Sequence, residues 1–355
     1  MRVSKVELSG LGPFEEAVFE VPAPVGPGEL VLFEGENDSG KSALLQAIAT
    51  ALCWRRAQRQ QAGAYLYSAR TIHGLEDRPL LWQSNSCSES YPRLLVDLEG
   101  DGVRERLTFD EVSLLAVPPR IPLSPVDNTE WAASEARVRL QQALSYVIGY
   151  EVHLGGLMWD FRHFSDGLRG TVWWLHDLVG KLHQTWEDKT RSALDQDFWL
   201  FLDGVDEGLH PRLTLRLLPA LRTLFPRARI YAATHSPFMV ASAGYGYVFT
   251  IQTNHKSHRV SGPQAYLALE PGMPLERIVT TVFDSPSMFV DEVTRAHLET
   301  HETAIAALRK GNPPGDGFVQ ARTWLLARTE EVGAVVAMRE APVYAAIRAL
   351  LRKTS

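Results

Sequence analysis

Eight residues, "GENDSGKS" from Gly35 to Ser42, constrain this chain more than any other stretch. They satisfy the pattern G-x-x-x-x-G-K-[ST], and their flanks match the context such a loop requires. Before them, "ELVLFEG" (29–35) is a short apolar run ending in glycine, the pattern of a central buried strand feeding a turn. After them, "KSALLQAIATALCW" places apolar residues at helical spacing. A glycine-rich turn between strand and helix points backbone N–H groups at phosphate oxygens, and the helix adds its positive N-terminal end. The pattern predicts a phosphate cradle built from Gly35, Asn37, Asp38, Ser39, Gly40, Lys41 and Ser42. Lys41 should reach the β- and γ-phosphates of a nucleotide, and the Ser42 hydroxyl should ligate Mg²⁺. A chance match in a glycine turn is the bland alternative, and both flanks argue against it.

Such a loop needs a carboxylate for the metal. In "DFWLFLDGVDEGLHPRL" (197–213), five apolar residues lead to Asp203, as a buried strand would before delivering a carboxylate to Mg²⁺. An Asp capping the turn after a strand is the plain structural reading. A competing register makes Asp206 and Glu207 the acidic pair. Asp203 is preferred because the residues before it are all apolar, whereas Asp206 follows Asp203-Gly204-Val205. On that choice Gly204 falls where a general base would stand, and glycine cannot accept a proton. Losing general-base help typically costs about 10²–10⁴-fold. Asp206 is the nearby carboxylate assigned to the water, and it reaches only if the turn is distorted.

Two further motifs follow the same logic. "IYAATHSPFM" places Thr234-His235-Ser236-Pro237 directly after another short buried strand. His235 there can contact the γ-phosphate or its attacking water. "FSDGLRG" (164–170) offers Ser165, Asp166 and Gly167 at the start of a helix, an anion-binding geometry. Taken alone, it is only a helix cap.

As a set, "GENDSGKS", "FSDGLRG", "LFLDGVDEGLHP" and "THSP", in that order, resemble the ABC-type ATPases of the RecF, SMC and overcoming-lysogenization-defect group. The short ATPases of retron and Septu antiphage systems are the most similar in pattern. The opening "VELSGLGPFEEAVFEV" fits their first strands, and the resemblance covers roughly residues 1–250. It implies ATP and Mg²⁺ as ligands, with Lys41, Ser42, Asp203 and His235 in the phosphate, metal and switch positions. It also implies that Ser165, Asp166 and Gly167 act in trans across a head-to-tail dimer. A Mg²⁺-sensing glutamine is expected between the first two motifs; Gln83 is the candidate, against the common case of a surface residue. The departures are Phe164 for leucine, Leu168 for an aromatic and Gly204 for the usual glutamate. Only the last bears on catalysis.

The expected fold class is α/β: a P-loop NTPase of ABC-ATPase type, its mixed central sheet joined by an N-terminal antiparallel β-part and helical insertions. The expected ATP-binding domain spans 1–284, with a less regular insertion near 55–130 and a helical signature region near 131–190. Pro219 is expected to kink a helix starting at Pro211. Residues 285–355 read as helical, a candidate docking region for a partner. "FVDEVTRAHLETHE" faintly resembles the opening of a metal-dependent nuclease domain, but too few residues follow it, and DNA cleavage would fall to a separate nuclease subunit. The formal charge of −6 argues against a uniformly basic, nucleic-acid-coated surface. It leaves DNA as a partner for local groups such as Arg55, Arg56 and Arg59 or Arg348, Arg352 and Lys353, although such runs are usually solvated helix faces. Two cysteines, Cys53 and Cys87, no long apolar run and no cleavable leader fit a cytoplasmic protein.

The expectation is an ATPase that dimerises on ATP and regulates an effector or a DNA transaction in antiphage defence or DNA repair, with slow hydrolysis. The alternative, from a different class, is a scaffold that binds ATP without significant turnover and assembles a nuclease complex. A transporter ATPase subunit is disfavoured because "FSDGLRG" lacks the adjacent glycines and glutamine of that signature.

Overall fold

The computed structural model describes residues 1–24, 28–59, 64–68, 93–100, 102–109, 135–152, 164–186, 192–254, 257, 259–283 and 291–351. Chain packing divides them into two units, Met1–Ser285 and Pro286–Ser355.

The first unit contains two sheets. Strands β1 (Arg2–Leu11), β2 (Phe14–Glu20), β5 (Arg93–Gly100) and β6 (Val103–Phe109) pair antiparallel, and β10 (Val260–Pro263) adds to β2 in parallel, giving the order β10-β2-β1-β5-β6. The second sheet runs β11 (Tyr266–Leu269), β9 (Gly246–Ile251), β3 (Glu29–Gly35), β8 (Arg229–Ala233), β7 (Trp199–Asp203), β4 (Ala64–Ser68). All its pairs are parallel except β11 with β9. The fold is therefore mixed α/β with two sheets, as the sequence led one to expect. The strands β10 and β11 gave no clear signal in the sequence, because four-residue strands are too short to show a period.

Why the central strands read as unbroken apolar runs is now plain. Along β3, Leu30 and Leu32 face one hydrophobic cluster while Val31 and Phe33 face the other. The same alternation holds for Leu200 and Leu202 against Trp199 and Phe201 on β7, and for Ile230 and Ala232 against Tyr231 and Ala233 on β8. Both faces are covered, so neither needs polar residues. One face carries α1 (Lys41–Arg59) and the antiparallel sheet. The other carries α2 (Glu135–Ile148), α3 (Asp166–Trp186) and α4 (Pro211–Leu224). Helix α3 buries Leu168, Val172, Leu175, Val179 and Leu182, a three-and-four spacing that makes one continuous stripe. Helix α4 starts with Pro211 in its first turn and runs on through Pro219 to Leu224, so Pro219 does not end it.

The second unit comprises α7 (Glu292–Arg309), α8 (Phe318–Leu326) and α9 (Glu330–Leu351), after the short helices α5 (Pro237–Ser242) and α6 (Leu275–Thr281) of the first unit. Leu298, Leu325, Val332 and Val336 form its small core. Among the described residues no helix is long and apolar enough to cross a membrane.

Candidate nucleotide site

Strand register decides where the functional residues meet. Phe33 on β3 and Asp203 on β7 both lie opposite Ala233 on β8. The glycine loop after Gly35, the Asp203 carboxylate and the turn holding His235 therefore leave the carboxyl ends of three adjacent parallel strands at one level. That edge is where open α/β sheets bind ligands.

The loop itself is shaped by close approaches. Gly40 has φ +94°, and a Cβ there would stand 2.5 Å from Pro13 Cγ and 2.8 Å from the Phe14 ring, so only glycine fits beneath the β1–β2 turn. Asp38 adopts φ 63°, a left-handed conformation that Asp tolerates better than most residues. Lys41 opens α1, and its Nζ donates to the carbonyls of Gly35 at 2.8 Å and Glu36 at 2.7 Å, with Ser39 Oγ at 3.4 Å. The ammonium is thus fixed inside the loop. Burial pulls its pKa down, opposed by the carboxylates of Glu34, Asp203, Asp38 and Glu207.

Ser42 Oγ donates to Asp203 Oδ1 at 2.9 Å. This joins the end of the phosphate loop to the end of β7, residues 161 apart in sequence. A hydroxyl and a carboxylate at this separation are oxygen donors that one Mg²⁺ can share. Mg²⁺ at phosphate sites usually takes one or two protein oxygens and fills the rest with phosphate and water. The pair therefore fits the ion, although among the described residues no group of three or more acidic, histidine or cysteine side chains is arranged to hold a metal by itself.

Asp206 lies elsewhere. It is buried, and its Oδ2 accepts from Thr234 Oγ1 at 2.6 Å, while Thr234 Oγ1 in turn accepts from the Ser236 N–H at 2.9 Å. Burial raises the Asp206 pKa against the opposing Thr234 hydrogen bond. Its carboxylate thus ties the turn after β7 to the turn after β8. His235, next to Thr234, is exposed; burial of part of the ring and the Lys41 charge lower its pKa, against the pull of Glu207. A neutral imidazole near pH 7 results, able to donate or accept one hydrogen bond.

Ser165 and Asp166 are exposed at the N-terminal end of α3, and Asp166 pairs with Arg169 at 2.9 Å. Gly167 is buried, and a Cβ on it would stand 2.5 Å from the Gly208 carbonyl oxygen. Glycine at 167 therefore lets the signature helix sit against the turn that follows Asp203. Gln83 lies outside the described residues, as do Cys87, Arg352, Lys353 and the side chains of Arg55, Arg56, Arg59 and Arg348.

Glu34 escaped the sequence reading, and Glu207 entered it only as half of the competing acidic pair. Glu34 is 7 % exposed, and burial pushes its pKa up to about 7 despite the Lys41 charge beside it. An acid inside an otherwise apolar strand was the available signal. Glu207 is exposed in the turn after Asp203, and its carboxylate acts on both Lys41 and His235.

The AAA domain family model matches residues 5–102. The Septu protein PtuA of Bacillus thuringiensis is 27 % identical over 84 residues, 23 % of this chain and 21 % of that protein, so the match spans about a fifth of the relative's length. Among solved structures, the SMC head domain from Thermotoga maritima aligns with 76 % of this chain and 100 % of its own, at 16 % identity and TM-score 0.39. An SMC head bound to the C-winged helix domain of ScpA aligns with 76 % of this chain and 98 % of its own, at 12 % identity and TM-score 0.44. The stretch that matches the AAA domain model contains the loop Gly35–Ser42, and Asp203 and the Thr234–Pro237 turn lie at the same sheet edge.

Proposed function

We propose that the chain binds ATP with Mg²⁺ and pairs with a second copy in an ATP-dependent, head-to-tail dimer. That dimer regulates a partner effector or a DNA transaction in antiphage defence or DNA repair. The observation that carries the nucleotide part is the 2.9 Å bond between Ser42 and Asp203, which sets two Mg²⁺ oxygens beside the buried Lys41. When bound, the ion neutralises phosphate charge. Lys41 holds the β- and γ-phosphates, the loop N–H groups orient them, and His235 contacts the γ-phosphate or the water next to it. Exposed Ser165 and Asp166, at a helix N-terminus, support contact with the nucleotide of a second copy. The defence assignment draws on the partial likeness to PtuA.

Gly204 favours a second reading, a scaffold that holds ATP without turnover, since no side chain at that position can take a proton. Phosphate release by the purified chain separates the two. For the shared nucleotide step, Lys41→Ala should weaken ATP binding roughly 10- to 100-fold, the scale of one charged hydrogen-bond set. The ATP-dependent dimer should disappear with it in light scattering. A dimer that forms equally without ATP would sink the nucleotide-driven pairing.

A further inference from the structure

We propose that Glu207 supplies the carboxylate that position 204 lacks and accepts the proton of the attacking water; this rests on the ATPase reading above. Three observations place it there. The turn after β7 is closed by a hydrogen bond from the Glu207 N–H to the Gly204 carbonyl at 2.9 Å, which brings residue 207 back toward residue 204. Its side chain then folds over the glycine: a Cβ built on Gly204 would stand 2.6 Å from Glu207 Oε1 and 3.1 Å from its Cδ. The carboxyl group of residue 207 therefore occupies the space where a side chain at 204 would begin. Finally, its charge is felt at Lys41 and at His235, the two groups assigned to the terminal phosphate.

The other acids of the turn are committed. Asp203 bonds Ser42, and Asp206 is buried against Thr234. Of the three, Asp206 is buried, Asp203 half-buried and Glu207 exposed. Gly204 fits this arrangement twice over. Its φ of +64° suits glycine, and its missing side chain is what leaves room for Glu207.

The step balances without any further reagent. The water oxygen bonds to the γ-phosphorus as the bond from that phosphorus to the β–γ bridging oxygen breaks. The electron pair leaves on ADP, the water proton passes to the Glu207 carboxylate, and that proton is later released to solvent.

The test uses the full chain with ATP and Mg²⁺, reading phosphate release, affinity for a fluorescent ATP analogue, and dimer lifetime by light scattering. Glu207→Gln should slow release by about 10²–10⁴-fold. It should keep ATP affinity within a few-fold and lengthen the life of the ATP-bound dimer. Glu207→Asp, which keeps the acid on a shorter arm, should recover part of the rate. Release at the unaltered rate in Glu207→Gln would overturn the assignment. So would an unaltered chain that binds ATP yet releases no phosphate, which would leave the scaffold reading standing. Failure of the unaltered chain to bind ATP would instead overturn the nucleotide reading beneath it.

Discussion

In the C-terminal unit, Glu340 is almost fully buried, accepts from Arg322 through both carboxylate oxygens at 2.7 and 3.0 Å, and meets His301 Nε2 at 2.9 Å. At the sheet edge of the N-terminal unit, Glu34 is nearly as buried, but among the described residues no cation pairs with it in this way; Lys41 spends its hydrogens on Gly35, Glu36 and Ser39. The two acids respond in opposite directions. Burial works to raise both, yet at Glu340 the bonds from Arg322 and His301 outweigh it and hold the carboxyl below its ordinary range. At Glu34 burial wins and the pKa rises to about 7. A buried charge whose partners close around it behaves as structure. A group of buried charges at a sheet edge, with an ammonium pushed down and an acid pushed up, carries strain that a charged ligand can relieve.

The comparison breaks most readily at Glu340. Glu340→Ala leaves His301 Nε2 buried without its acceptor and should cost about 3–5 kcal/mol, the usual penalty for removing one member of a buried pair. Urea unfolding of the full chain measures it, and ATP affinity should be unchanged. A loss of affinity would show that this network is not structural alone.

Glu34 tests the opposite case through pH. Its folded pKa of about 7 exceeds the ordinary 4.5, so the stability it allows is fully present below 4.5 and is lost as pH rises through 7. Glu34→Gln removes that loss. The variant should therefore gain on the unaltered chain between about pH 5 and pH 8, by up to roughly 3 kcal/mol. Parallel pH–stability curves for the two proteins would refute the strained-acid description.

The smallest effect is expected at Gly204. Gly204→Ala forces a side chain into φ +64° and should destabilise by about 1–2 kcal/mol. The new Cβ also meets Glu207, so phosphate release should fall together with stability. For the same reason Gly204→Glu is not a restoration of a missing base, and a gain in turnover from it would contradict the geometry.

Much of this fold was legible before any coordinates. Unbroken apolar runs announced β3, β7 and β8 because both sheet faces are covered, and the glycine loop announced the strand–turn–helix that holds Lys41. The short β10 and β11 were not legible, having too few residues for a period. The same holds inside the site. Lys41, Ser42, Asp203 and His235 are defined by motif, since each follows a strand end at a fixed offset.

Glu207 and Asp206 show where that kind of reading stops. They are neighbours in sequence with the same chemistry, and the sequence reading assigned Asp206 to the water, reaching it only through a distorted turn. Only the turn's left-handed step at Gly204 and its closing hydrogen bond decide that Asp206 points inward to Thr234 while Glu207 folds back over the glycine. Sequence by itself determined that the chain builds a glycine turn between a buried strand and a helix, with Asp203 at the end of another buried strand, because local backbone geometry and strand burial are written residue by residue. Which acid of the turn is buried and which is exposed was decided by tertiary structure, because the direction of a side chain in a turn depends on the dihedral angles and partners that packing imposes.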